Sequence, residues 1–115
     1  MNLSTVDVRP TITKFGGTSV EDARAFERVR RIVYDQRAAR PVVVVVSAMS
    51  RVTDALLKSV VRASDGDAAE AAQLLSEHFE RHLNVAHALL RGESRATAET
   101  TVESARHEIA ELLRA

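Results

Sequence analysis

Lys14-Phe15-Gly16-Gly17-Thr18-Ser19 is the stretch of this 115-residue sequence whose residue types and order best suit work on an anion. Glycines let consecutive backbone N–H groups turn toward one point and form a nest for negative charge. A helix starting just beyond them adds the positive end of its dipole at the same place. Lys14 contributes a full charge on a flexible stem, and Thr18 and Ser19 contribute hydroxyls. Together these parts can hold phosphate oxygens and neutralise charge during phosphoryl transfer. The order is not that of a Walker A loop, in which the lysine follows the glycines. The same residues also read as a Gly-Gly turn with a surface lysine and a helix cap, and by themselves they leave both readings open.

A second stretch, Ser47-Ala48-Met49-Ser50-Arg51-Val52-Thr53-Asp54, follows a valine run. Ser47 and Thr53 have hydroxyls to offer a small polar substrate, and Arg51 has the fork that pairs with a carboxylate. Plain helix capping by Ser50 or Thr53 is the competing reading, and it is the better one for Ser50.

The elements that must position these groups follow from pattern. Thr11 to Phe15 is short, β-prone and bounded by Pro10 and Gly16, which predicts a strand. Thr18 or Ser19 is placed to cap a helix beginning near Glu21, with Glu21 and Asp22 in its first turn. Ala25, Phe26, Val29, Ile32 and Val33 give that helix an apolar face, and Pro41 stops it. Val42 to Ser47 is the second strand. Its five consecutive valines suit a strand covered on both faces, as in a parallel sheet under helices. Strand, helix and strand in that order make a βαβ unit. Both motif loops then leave the carboxyl ends of parallel strands, the edge where α/β sheets bind ligands.

Beyond it, Val52, Leu56, Leu57, Val60 and Val61 mark one face of a helix. Asp67 is placed to cap a long helix to Leu90, and Arg91 to Ser94 reads as a turn. Ala98, Val102, Ala105, Ile109 and Leu112 mark a last helix, packed antiparallel on the one before as a hairpin. Residues 1 to 9 lack useful periodicity and are expected to fray. Two strands are a thin sheet, so further strands from sequence not included here, or another copy of the chain, are expected to complete it.

Composition excludes several classes. Lys and Arg total 16 and Asp and Glu total 16, a formal net charge of zero, which argues against electrostatic binding to nucleic acid or an acidic membrane. The aromatic residues, Phe15, Phe26, Phe79 and Tyr34, are too few for a base-stacking platform. The chain has no cysteine, hence no disulfide framework, thiolate zinc site or cysteine nucleophile. No run is long enough to span a membrane and no signal peptide is evident, so a cytoplasmic protein is expected. His78 and His82 are four residues apart on a helix, a spacing able to bind metal, but a solvated helix face is the expected reading. The Arg and Glu residues between Glu21 and Arg40 read as exposed helix pairs.

Lys14-Phe15-Gly16-Gly17-Thr18-Ser19-Val20, followed by a helix, the valine strand and Ser47 to Asp54, resembles the N-terminus of the aspartokinases, a branch of the amino-acid-kinase family. The two blocks cover residues 12 to 57, and the later helices resemble that branch more loosely. The resemblance implies an α/β protein with a partial three-layer αβα, carbamate-kinase-like fold. Its two parallel strands come first and a helical hairpin follows, with residues 1–115 as the N-terminal portion of a catalytic domain. It implies ATP and Mg²⁺, with transfer of the γ-phosphate to the side-chain carboxylate of L-aspartate in lysine, threonine and methionine biosynthesis. Lys14 would be the catalytic phosphate-binding lysine, and Gly16, Gly17 and Ser19 would border the ATP phosphates with it. Thr18, Ser47 and Thr53 would hold aspartate. The family's later substrate and nucleotide-base motifs, and its ACT domains, have no matching positions here. The chain alone is therefore expected to be inactive and to self-associate or join the remainder of a kinase domain. Two alternatives stand beside this: a non-catalytic anion-binding or self-associating module, and an amino-acid kinase of different substrate.

Overall fold

The computed structural model of the protein describes residues 8–115. The fraying expected of the N-terminal segment lies, up to residue 7, outside the described residues. The chain divides into two compact units between Met49 and Ser50.

The first unit is the expected βαβ. Strand β1 (Thr11–Phe15) pairs in parallel with β2 (Val42–Val46), in a register running from Thr11 opposite Val42 to Phe15 opposite Val46. Helix α1 (Ala23–Gln36) makes the crossover. Alternation along β1 sends Thr11, Thr13 and Phe15 to one face and Ile12 and Lys14 to the other. The first face meets α1, since the Thr13 hydroxyl donates to Gln36 Oε1 at 2.7 Å. Phe15 on that face is buried, whereas Ile12 on the other is 71% exposed.

Two local expectations need correction. The α1 cap is Asp22, whose carboxylate accepts from the Ala25 N–H at 2.8 Å, and not Thr18 or Ser19. Thr18 and Ser19 instead lie inside a separate 3₁₀ turn, Gly17–Val20, whose Ser19 N–H donates to the Gly16 carbonyl. Thr18 and Ser19 are taken up inside that turn, which leaves Asp22 as the side chain placed to accept from the first N–H groups of α1. The second correction concerns the valines. Val43 to Val46 are each 39–56% exposed, so the described residues do not cover the strand on both faces. One helix can cover only one face of a two-stranded ribbon. The ion pairs expected on α1 are present and exposed, Arg30 to Glu27 at 2.6 Å among them.

The second unit is three helices, α2 (Val52–Ser64), α3 (Ala68–Leu89) and α4 (Gly92–Arg114). Asp67 caps α3 as expected, accepting from the Glu70 N–H at 2.9 Å. The α3–α4 hairpin is antiparallel: Arg95 reaches the His87 and Leu90 carbonyls, while Arg106 reaches Glu80 and Ser76 nearer the start of α3. The turn expected over Arg91 to Ser94 is shorter than that. Helix α4 already begins at Gly92, whose φ of +57° is one few other residues tolerate. Arg95 makes so short a reversal feasible by donating to carbonyls that the end of α3 leaves unpaired.

Helix α2 buries small residues. Ala55 and Ser59 are buried on α2, and Ala71 and Leu75 on α3; the Ser59 hydroxyl is satisfied by the Leu56 carbonyl at 2.8 Å. The apolar face expected at Val52, Leu56, Leu57, Val60 and Val61 is therefore not the buried one, with Leu57 63% and Val61 60% exposed. Small side chains allow closer helix approach, and here that geometry overrides hydrophobicity. Replacing Leu75 by Ala should cost about 2–5 kcal/mol of stability. Replacing the exposed Leu57 should cost about 0.5 kcal/mol or less. Urea unfolding of the two variants checks this, and equal losses would contradict the packing described.

Candidate functional site

The carboxyl end of the β1–β2 ribbon gathers most of the residues singled out from sequence. Lys14 stands opposite Val45 in the ladder, one residue before β1 ends, and its side chain is exposed. It has no hydrogen bond or ion pair among the described residues, which leaves its ammonium available to a ligand. The chain then passes through Gly16 into the 3₁₀ turn that contains Gly17, Thr18 and Ser19. At the neighbouring strand end the Ser47 N–H donates to the Phe15 carbonyl at 3.1 Å, extending the ladder by one bond. That bond holds Ser47 beside the residue that precedes the glycine pair. The Ser47 hydroxyl donates to the Ala48 carbonyl at 2.9 Å, so donation to a ligand would exchange that bond for another.

The glycines work differently from a nest. Gly16 has φ −78° and ψ −179°, ordinary extended backbone, and the glycines with positive φ among the described residues are Gly66 and Gly92. A Cβ built on Gly16 would meet nothing within 4 Å. Neither backbone conformation nor crowding within the fold accounts for glycine there. What glycine leaves is bare backbone that a ligand can approach closely. Donors come from the N–H groups of Gly17 and Thr18, which precede the first hydrogen bond of the turn.

Thr53 belongs to the second unit, in the first turn of α2 and exposed. The capping expectation for Ser50 and Thr53 is not met. The residue before α2 is Arg51, at φ +69° and ψ 0°, with no side-chain cap bond. Beside this start, a cleft of about 630 Å³ lies between α2 and α3, lined among others by Arg51, Asp54, Lys58, Glu77 and His78.

His78 corrects another expectation, since it is buried and does not lie on a solvated face. Its Nδ1 lies 3.0 Å from an Arg81 guanidinium nitrogen. Arginine can only donate, so Nδ1 accepts and the ring proton resides on Nε2, which faces Glu77 Oε1 at 3.5 Å. His82 Nδ1 meets the His78 carbonyl at 2.6 Å.

The sequence profile of the amino acid kinase family matches residues 9–114. The chain belongs to the amino acid kinase family. Parallel strands followed by helices are the part of that α/β family's fold which the chain carries. Two curated relatives are maize (Zea mays) proteins, the chloroplastic bifunctional aspartokinase/homoserine dehydrogenases 2 and 1. Over 86 residues the chain is 37% identical to the first and 38% to the second. The match takes in 75% of this chain but 9% of each relative, so the chain spans a small part of their length. No helix among the described residues is long and apolar enough to cross a membrane.

Motif reading of this amino acid kinase chain missed Arg81 and the burial of His78. Both lie on the long third helix, where the only sequence signal was a pair of histidines at helical spacing. Burial, and secondarily Arg81, hold His78 below its ordinary value; Glu77 opposes them, and Arg51 and His82 weigh weakly on the same side as Arg81. A base whose pKa is lowered by folding binds its proton more readily when unfolded. Stability is then fully present above the unfolded value, about 6.5, and falls as pH drops below it. In His78→Gln, which keeps an acceptor but cannot titrate, the loss of stability between pH 7 and 5 should be smaller than in the parent. Parallel urea titrations at the two pH values check this, and identical slopes would contradict the assignment.

Proposed function

We propose that the chain supplies the phosphate-binding part of an ATP-dependent kinase that phosphorylates the side-chain carboxylate of L-aspartate. The observation that carries the reading is Lys14, bare Gly16 backbone and the Gly17–Val20 turn at one strand end, held next to Ser47 at the other. The aspartokinase activity named in both maize relatives supports aspartate as the substrate.

The chemistry is an in-line displacement. A carboxylate oxygen of aspartate forms a bond to the γ-phosphorus, the bond from that phosphorus to the bridging oxygen breaks, and ADP departs with the electron pair. No protein base is required, because the carboxylate is already ionised at neutral pH. The difficulty is charge, since an anion must approach a triphosphate. Lys14 lowers that barrier by sitting at the transferring group. The Gly17 and Thr18 N–H groups, with the Ser19 hydroxyl, donate to phosphate oxygens across the space that Gly16 leaves open. Ser47 and Thr18 of the first unit, and Thr53 of the second, each have a hydroxyl that the aspartokinase likeness assigns to aspartate. Among the described residues the donor set fits a nucleotide phosphate: the Lys14 ammonium, turn N–H groups and hydroxyls. Mg²⁺ would screen charge between the β- and γ-phosphates. Among the described residues no group of three His, Asp or Glu side chains could hold a metal ion.

The bare valines of β2 favour a second reading, a self-associating or anion-binding module without catalysis. Binding separates the two, because such a module ignores the paired substrates whereas the kinase reading requires Mg-ATP and L-aspartate to raise the melting temperature of the native protein. In the full-length native protein, Lys14→Ala should lower kcat about 10²- to 10³-fold while changing the KM for aspartate little. Gly16→Ala should leave stability unchanged or raised by up to about 1 kcal/mol, because its backbone is compatible with alanine, yet raise the KM for ATP. Unchanged turnover in Lys14→Ala would overturn the reading.

A further inference from the structure

Arg51 is the one non-glycine residue with a left-handed φ among the described residues, and it stands two positions before Thr53. A side chain in that region costs free energy that the surroundings must offset. No side chain of the turn itself does so, since the start of α2 has no side-chain cap. The support comes from α3. Arg81, half-buried, donates from a terminal guanidinium nitrogen to the Ser50 carbonyl, which belongs to the peptide leading into Arg51. The same nitrogen is 3.0 Å from His78 Nδ1. Its two protons therefore have two acceptors, and the guanidinium is held on both sides.

A trans peptide is rigid, with its carbonyl and N–H pointing in opposite directions. Fixing the Ser50 carbonyl fixes the Arg51 N–H as well, and with it the angle at which the chain enters α2. The Thr53 hydroxyl and the N–H groups of the first turn, which have no intrahelical acceptor, follow that angle.

We propose that Arg81 is a positioning residue for the amino-acid substrate: from α3 it locks the Ser50–Arg51 peptide and so sets the Thr53 hydroxyl and the start of α2. The proposal rests on the reading above, in which Thr53 holds aspartate. Arg81 itself touches no substrate. It acts through a backbone carbonyl, and His78 acts only by accepting from its guanidinium.

The test is a double-mutant cycle in the full-length native protein, reading the KM for aspartate and the KM for ATP separately, with melting temperature beside them. Arg81→Ala should raise the KM for aspartate about tenfold, the scale of a lost charge-assisted hydrogen bond, and leave that for ATP within about twofold. Arg81→Lys keeps a charged donor but on a shorter stem and without the rigid planar guanidinium that aims one nitrogen at both acceptors, so its KM for aspartate should fall between parent and Arg81→Ala. Thr53→Val should raise the same KM, and adding Arg81→Ala to it should change little, because both act at one contact. An additive double mutant, or equal rises in both KM values, would make Arg81 merely structural and overturn the proposal. If Thr53→Val raises the KM and Arg81→Ala does not, the proposal fails while the substrate reading stands. If Thr53→Val has no effect, the substrate reading itself fails and the proposal with it. Should Arg81→Ala not fold, Arg81→Lys carries the same cycle, and additivity there overturns the proposal equally.

Discussion

The parallel pairing of β1 with β2 is the constraint on which the placement of Lys14, Gly16 and Ser47 depends. Side-chain direction in a strand repeats every two residues, so a slip of one position would move Lys14 to the α1 face and bring Phe15 out of its buried site. The register of Phe15 opposite Val46, extended by the Ser47 N–H bond to the Phe15 carbonyl, rules out that slip. It also ends both strands at the same level, and two hydroxyl-bearing loops therefore begin side by side. Among the described residues Lys14 has no partner, and it points to the face that α1 does not cover.

In the second unit the corresponding constraint is a close helix contact. Ala55 and Ser59 against Ala71 and Leu75 bring α2 and α3 near enough for Arg81 of one to reach the backbone that starts the other. Larger residues at those positions would separate the helices and put the Ser50 carbonyl out of reach. Packing and the left-handed turn at Arg51 are thus linked, with tight small-residue contact providing the support that an unfavourable backbone conformation requires. Arg95 and Arg106 do related work at the other interface. Each is an α4 side chain that reaches back to α3 or its end, Arg95 through the His87 and Leu90 carbonyls and Arg106 through an exposed pair with Glu80 and the Ser76 hydroxyl.

Much of this was legible in the residues where the signal is local. The two strands, the crossover helix, the Asp67 cap and the antiparallel hairpin follow from alternation, helical spacing and turn chemistry within a few positions. The Lys14 to Val20 string and the Ser47 to Asp54 block carried the family likeness together. Features decided by partners distant in sequence were not legible. A histidine pair on a charged helix looks solvated until α2 covers one of its members, and hydroxyls look like caps until an arginine 31 positions away takes over the turn. The apolar count on α2 favoured Leu57 and Val61 over Ala55 and Ser59, because hydrophobicity ranks side chains by what burial gains and not by how closely they let two backbones approach.

The exposed valines bear directly on the chemistry. Burying a valine side chain contributes about 1.5–3 kcal/mol, and Val43 to Val46 realise only part of that among the described residues. A two-stranded ribbon is marginal without a covering layer. Electrostatic catalysis depends on donors that are already in place when charge develops and need no reorganisation at that moment. Lys14, Gly17 and Thr18 stand at the end of this ribbon, so their rigidity is bounded by its own. Covering the valine faces would therefore stiffen the Lys14 end of the ribbon as well as add stability.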